Sequence, residues 1–117
     1  MTMNNIWIKV AGLSGASAVL LGAVGAHALL KSDDHMKETW KTASQYHLIH
    51  TVALAVSALN LQGRKRSYVC TLFTSGMVLF CGACYGIVLM NQRKPLNYFA
   101  PIGGILMTCG WLAFALM

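Results

Sequence analysis

The sequence predicts an all-α membrane protein: a four-transmembrane-helix up-down bundle with a short interfacial helix between helices 1 and 2. The first observation is the composition, since 56% of the 117 residues are hydrophobic and only 10% are charged, whereas an average soluble domain is about 25% charged. The second is the spacing of charge. Cutting the chain at every Asp, Glu, Lys and Arg leaves four uncharged runs, 10–30, 42–63, 67–92 and 95–117. Each exceeds the roughly 20 apolar residues that cross a bilayer, and none alternates as a membrane strand does.

The charge balance and the motifs present exclude several function classes. The net charge is +6, but basic clusters between apolar segments are typical topology signals. We therefore expect a lipid bilayer as the surroundings and no nucleic-acid partner. The chain has no Ser/His/Asp set, phosphate-binding loop or zinc knuckle. It is predicted not to be an enzyme, with no catalytic residue, no metal site and no bound cofactor.

The first span is predicted over about 8–30. Lys9, the apolar stretch and Ala26-His27-Ala28 also resemble a signal peptide with a small-x-small cleavage site. The apolar run is long for a signal peptide, and His fits poorly at that junction. Retention as a membrane span is therefore the preferred interpretation.

The connection after the first span predicts an interfacial helix over about 33–44. Ser32 is its expected N-cap, and Asp33 and Asp34 stand in the first turn, where the helix dipole favours anions. The second span, about 46–62, is the weakest of the four because its first residues are polar. Those residues are expected in the headgroup region or against the other helices.

The third and fourth spans are predicted over about 67–90 and 97–117. Short connections make consecutive spans antiparallel neighbours, and nothing marks a domain boundary, so residues 1–117 are predicted to form a single integral membrane domain. The basic cluster Arg64-Lys65-Arg66 in a short loop favours a topology with both termini inside.

Small residues recur at helical spacing in three of the four spans. Helices in lipid associate through close backbone approach, which small residues permit. The predicted helix-packing residues are Ser14, Ala18, Gly22, Ala26, Gly82, Gly86, Gly103 and Gly104. Packing within one chain is the favoured interpretation, and a homo-oligomer interface remains open.

The only ionisable side chains within the four uncharged runs are histidines, tyrosines and cysteines, because no Asp, Glu, Lys or Arg interrupts these runs. This absence argues against proton-coupled transport. His27, His47, His50 and Tyr85 are the candidate cofactor-binding residues, since an up-down bundle places them on one side of the membrane. The alternative is that these side chains only hydrogen-bond to neighbouring groups. Cys81-x-x-Cys84 has redox spacing, but apolar surroundings suppress thiol reactivity, which favours a packing role.

Motifs along almost the whole chain resemble those of the transmembrane protein 256 homologue family, also called domain of unknown function 423. They are Gly22-Ala23-Val24-Gly25-Ala26-His27, Tyr46-His47-Leu48-Ile49-His50, Leu79-Phe80-Cys81-Gly82-Ala83-Cys84-Tyr85, Pro101-Ile102-Gly103-Gly104 and Gly110-Trp111-Leu112-Ala113. The resemblance implies a four-helix multi-pass protein of bacterial inner membranes or, in eukaryotes, of mitochondria. It implies no activity. His27, His50 and Tyr85 match family motifs.

Three hypotheses for function follow. The leading one is a non-enzymatic structural or accessory component of a membrane or membrane complex, with membrane-protein partners or as a homo-oligomer. The second is a haem- or quinone-associated membrane subunit that uses His27, His47 and His50. The third is a small oligomeric transporter or channel.

Overall fold

The computed structural model describes residues 5–29, 33–92 and 94–116, and within these ranges the chain is helical apart from short connections. The elements are α1 (Ile6–Ala28), α2 (Asp34–Asn60), α3 (Gly63–Met90), a short 3-10 helix (Leu96–Tyr98) and α4 (Phe99–Leu116). The predicted all-α class is confirmed. Among the described residues, three helical segments are long and apolar enough to cross a membrane: Ile6–His27, Gly63–Met90 and Leu96–Leu116. Leu30 and Met117, the predicted ends of the first and fourth spans, lie outside the described residues.

The second helix corrects the prediction of a separate interfacial helix. The segments predicted as 33–44 and 46–62 form one continuous helix, Asp34–Asn60. Asp33 caps it, because its side chain accepts a hydrogen bond from the Met36 amide at 2.8 Å; Ser32, the expected cap, lies outside the described residues. The polar residues near position 45 do not end the helix: His47 and His50 are buried against other helices, while Gln45 and Tyr46 are exposed.

Side-chain contacts show that α1 and α2 run antiparallel along their whole length. Asn5, which also caps α1, donates to the carbonyl of Ala58 at 2.8 Å. Midway, Ser14 lies 2.6 Å from Thr51, and at the far end Trp40 Nε1 donates to the Leu21 carbonyl at 2.8 Å. As residue numbers rise along α1, the numbers of the contacting residues in α2 fall, as expected for antiparallel helices.

The third helix lies between α2 and α4 and packs against both. Its contacts with α4 are close enough to need glycine: a Cβ on Gly76 would lie 2.8 Å from the Met107 amide nitrogen, and one on Gly110 would lie 2.8 Å from Phe73. These pairs also make α3 and α4 antiparallel. By contrast, α1 packs mainly on α2, which leaves much of α1 exposed.

The core lies along the inner faces of α2 and α3. The largest fully buried side chains are Phe73, Leu54, Val69, Cys70 and Ser57. The outward faces carry large exposed apolar side chains on every helix, for example Leu13, Val52, Val78 and Ile105. Such a surface is unsuited to water and suited to lipid.

Candidate functional site

The buried polar side chains are concentrated on α2. His47, His50, Thr51 and Ser57 are all buried there, in a helix whose outward residues include Leu48, Ile49 and Val52. A polar group away from water is costly unless it is hydrogen-bonded. The partners of these side chains therefore determine what the region can do.

One hydrogen-bonded chain links α1 to α2. Thr51 Oγ1 donates to the carbonyl oxygen of His47 at 2.7 Å, which uses the single hydroxyl hydrogen of the threonine. Ser14 must then be the donor in its 2.6 Å bond to Thr51 Oγ1. Met77 of α3 completes the group, with its sulfur 3.8 Å from Thr51 Oγ1. This cluster holds three helices together.

His50 is fixed by two partners that determine its tautomer. Its Nδ1 lies 2.8 Å from the Tyr46 carbonyl, and a carbonyl only accepts, so Nδ1 carries the hydrogen. Trp111 of α4 donates from Nε1 to His50 Nε2 at 3.0 Å. Both ring nitrogens of a neutral imidazole are thereby occupied, which leaves neither free to ligate a haem iron or a metal ion.

His47 lies one turn earlier on α2 and meets α3 instead. Its Nδ1 is 3.1 Å from the hydroxyl oxygen of Tyr85. The Tyr85 ring packs in turn on Trp40, with 4.6 Å between ring centroids. No hydrogen bond between described residues uses the Nε2 atom of His47. Of the predicted candidates, His47 and Tyr85 are therefore brought into direct contact.

His27 is not part of this group. It is exposed in the last turn of α1, two residues after Gly25, whose position packs directly against Trp40. His47 lies seven residues beyond Trp40, so the two histidines are separated by roughly 10–15 Å along the helix axis at 1.5 Å per residue. The predicted cluster of His27, His47 and His50 does not assemble, and the described residues contain no group of three His, Cys, Asp or Glu side chains that could hold a metal ion.

The thiol of Cys81 is engaged in packing. It is buried and donates to the Ala43 carbonyl at 3.4 Å. Cys84, one turn later, is buried in the same cluster with Trp40 and Tyr85. The two cysteines thus sit inside the contact between α2 and α3.

Some of the predicted packing residues do lie at helix contacts. Ala18 is 1% exposed, and Ser14 belongs to the cluster described above. A Cβ on Gly86 would lie 2.8 Å from Leu96, and one on Gly103 would strike the backbone nitrogen of Phe80. At Gly103 the neighbouring groups are backbone, which cannot rotate out of the way.

Other predicted packing residues do not lie at such contacts. A Cβ added to Gly22, Gly82 or Gly104 would meet nothing within 4 Å, and Ala26 is exposed. The physical reason is that a small residue permits close approach but does not determine which face of its helix is used. In α1, Ser14 and Ala18 lie on the packed face, whereas Gly22 and Ala26 do not.

Sequence reasoning missed several contacts that position the site. The close approaches at Gly76 and Gly110 were not predicted, and neither was the bond between Trp111 and His50. A signal existed for Gly110: it follows Gly103 by seven residues, which is two helical turns on one face. Nothing in the spacing indicated which of the two histidines Trp111 meets.

Fold and interior together define the class: a small helical membrane protein whose polar groups mostly serve packing between helices. The chain belongs to the family described as protein of unknown function (DUF423), whose model matches residues 21–104. This confirms the resemblance of its motifs.

Relatives are found in bacteria and yeast. A UPF0382 membrane protein of Schizosaccharomyces pombe is 39% identical over 113 residues, covering 91% of this chain and 94% of the relative. The UPF0382 inner membrane protein YgdD of Escherichia coli is 34% identical, covering 86% of this chain and 79% of the relative. The UPF0382 membrane protein YwdK of Bacillus subtilis is 32% identical, covering 92% and 90%. No solved structure gives a significant match.

Proposed function

We propose that this chain is a four-span, up-down integral membrane protein that acts as a non-enzymatic accessory component of a membrane-protein complex. The observation that carries the proposal is the one-sided packing of α1. In the apolar stretch of each helix that could cross a membrane, 11% of the residues are buried in α1 and 17% in α4, against 50% in α3. An apolar helix so weakly covered by its own chain has a long face available for another membrane helix.

The fourth span in this proposal is α2, which is less apolar than the other three helices. Asn5, Ser14 and Leu21 of α1 contact Ala58, Thr51 and Trp40 of α2 respectively. The segment 40–58 therefore lies beside the apolar length of α1. At 1.5 Å per residue it extends about 27 Å, close to the roughly 30 Å of a hydrocarbon core. If α1 crosses the membrane, α2 must cross beside it.

The polar residues of α2 do not oppose this arrangement. Polar side chains in a membrane span face the bundle interior and find partners there. Thr51, Ser57 and His50 each donate to the backbone carbonyl one turn earlier in α2. An inner helix is the one place in a membrane bundle where such a sequence is tolerated.

The outward face of α1 is also suited to close helix contact. A Cβ on Gly12 would meet nothing within 4 Å, and Ala16, one turn later, is exposed. Small residues four positions apart let two helices approach closely in lipid. Together with the sparse cover of α1, this spacing supports a helix of another subunit as the partner.

The alternatives receive less support. A haem held between two of the candidate histidines is disfavoured, because both ring nitrogens of His50 are occupied and the exposed His27 is separated from His47 by roughly 10–15 Å along the helix axis. Proton-coupled transport is disfavoured because no carboxylate lies in the uncharged runs.

For location, the E. coli relative is named an inner membrane protein, which supports that membrane in a bacterial host. The mitochondrial membrane is the corresponding proposal for a eukaryotic host.

Native purification tests the accessory role. The tagged protein, extracted from its host membrane in lipid nanodiscs, is expected to retain a second membrane protein in fixed stoichiometry. Gly12→Leu should abolish that retention, since the leucine fills the exposed face of α1 without a clash inside the chain. Gly104→Leu is the matched control, because its Cβ is equally unobstructed but lies on α4. A protein recovered alone, or only as copies of itself, would contradict the proposal.

A further inference from the structure

A groove of about 580 Å³ opens between α1 and α3, with α2 as its floor. Its lining includes Leu13 and Ser17 of α1, His47 of α2, and Val78, Gly82 and Tyr85 of α3. We name it the α1–α3 groove. We propose that the α1–α3 groove binds an uncharged, lipid-soluble molecule with a carbonyl or hydroxyl head and a hydrocarbon tail. This inference is independent of the accessory role, which concerns the opposite face of α1.

The size and lining of the groove fit a small molecule. Ligand pockets typically measure about 300–1,000 Å³ and are mostly apolar with a few placed polar groups. None of the residues that line the α1–α3 groove is Asp, Glu, Lys or Arg. A charged head placed there would have no counter-ion, and an unpaired charge away from water is strongly unfavourable. The ligand is therefore uncharged.

The polar lining supplies a specific anchor. His47 is 9% exposed, its Nδ1 is held by the Tyr85 hydroxyl, and its Nε2 is left without a partner among the described residues. A neutral imidazole donates from one ring nitrogen and accepts at the other. A carbonyl or hydroxyl oxygen hydrogen-bonded to Nε2 would satisfy the ring, whose position is already set by Tyr85.

The groove has polar side chains toward both ends. Ser17, His47 and Tyr85 lie toward the end of the bundle where α2 begins. Thr74 lies toward the other end with Val10 and Met77, and its buried hydroxyl has no hydrogen-bond partner among the described residues. The rims carry Leu13 and Val78, which are 74% and 65% exposed. Entry is therefore from the lipid side, with the head at His47 and the tail along these apolar rims.

Gly82 provides a variant that fills the groove without disturbing the fold. It lines the groove, and an added Cβ there meets nothing within 4 Å. Replacing an exposed helical glycine also removes an intrinsic cost to the helix. Gly82→Leu is thus expected to fold normally while occupying the ligand's space, and Gly104→Leu is the control with equal room outside the groove.

The test measures how three probes, each with a ten-carbon chain, bind to the purified protein in nanodiscs: a decyl-substituted benzoquinone, decanol, and decanoate at a pH where it is ionised. Saturable binding of the quinone or of decanol, with decanoate at least about tenfold weaker, is the expected result. Preference for the quinone would identify a carbonyl head, and preference for decanol a hydroxyl head. Gly82→Leu should weaken binding by about tenfold or more and Gly104→Leu should not.

A second variant tests the anchor itself. His47→Phe keeps an aromatic ring against Tyr85 but removes Nε2, so binding of the preferred probe should weaken by about tenfold, the equivalent of one lost hydrogen bond. Equal affinity in the wild type and Gly82→Leu, or tighter binding of decanoate, would overturn the proposal. So would a groove filled by a second copy of the chain, seen as a dimer that Gly82→Leu dissociates and that binds none of the probes.

Discussion

At the scale of single residues, the interior of this protein uses polar side chains as connectors between helices. His50 illustrates this most fully, since the Tyr46 carbonyl takes its Nδ1 hydrogen and Trp111 donates to its Nε2. The same Trp111 ring also packs on Phe73, with 5.1 Å between centroids. A histidine with redox or metal chemistry needs a free ring nitrogen, and His50 has none.

The bond between Trp111 and His50 is predicted to stabilise the contact of α4 with α2. Trp111→Phe removes the N–H donor but keeps an aromatic ring, and should lower the free energy of unfolding by about 0.5–1.5 kcal/mol. A double-mutant cycle with His50→Leu, measured by SDS-induced unfolding in mixed micelles, isolates the pair from the change in ring size. A coupling energy indistinguishable from zero would show that the bond contributes nothing.

At the scale of the helices, the backbones of α3 and α4 approach each other closely. Gly76 and Gly103 face each other there, so that a Cβ on Gly103 would come within 2.7 Å of the Gly76 carbonyl oxygen. Helix pairs in lipid rely on such approach because burying apolar surface yields little there. Gly104 is the next residue of the same helix, but a Cβ there would have open space around it.

This difference predicts opposite effects for two adjacent substitutions. Gly103→Ala should lower the free energy of unfolding by about 1–3 kcal/mol, because the methyl group meets backbone atoms that cannot repack. Gly104→Ala should leave it unchanged or raise it by up to about 1 kcal/mol through helix propensity. Both are measured by thermal unfolding in detergent. Equal loss of stability in the two variants would mean that close packing at Gly103 is not the cause.

The sequence predicts a structural feature well when nearby residues determine it, and poorly when contacts between helices determine it. The apolar runs and the helices that they form could be predicted from composition. The family could be predicted from motifs such as Gly22–His27. The choice between Gly103 and Gly104, or between Gly82 and Gly76, depends on which face α3 and α4 present to each other. That choice is set by all contacts together, which no single spacing reveals.

The prediction of a helix boundary near position 45 was wrong for a related reason. The connection after the first span predicted a separate interfacial helix over 33–44, and the polar start of the second run was expected in the headgroup region or against the other helices. The structure shows the second of these environments, since Trp40, Ala43 and His47 are buried against neighbouring helices. Burial against other helices lets α2 continue without a break, and the connection alone did not indicate that continuity.

At the scale of the whole molecule, α2 is one of two inner helices and connects α1 to α3. Three of its contacts with α1 extend from one end of the pair to the other, while α3 packs on its other side. The described charged residues lie near the ends of the helices: Lys9, Arg64, Lys65 and Arg66 at one end, and Asp33, Asp34, Lys37, Glu38, Lys41 and Lys94 at the other. This distribution is expected if all four helices cross the bilayer.

Side-specific cysteine labelling of the two ends of α2 tests this central claim most directly. Single cysteines at Lys37 and Gln62, both exposed, are placed in a Cys109→Ser background, since Cys109 is also exposed. They are then treated with a membrane-impermeant maleimide in right-side-out and inverted vesicles. The account predicts that Lys37→Cys and Gln62→Cys are labelled from opposite faces of the membrane. Labelling of both from the same face would show that α2 does not cross and would contradict the four-span arrangement.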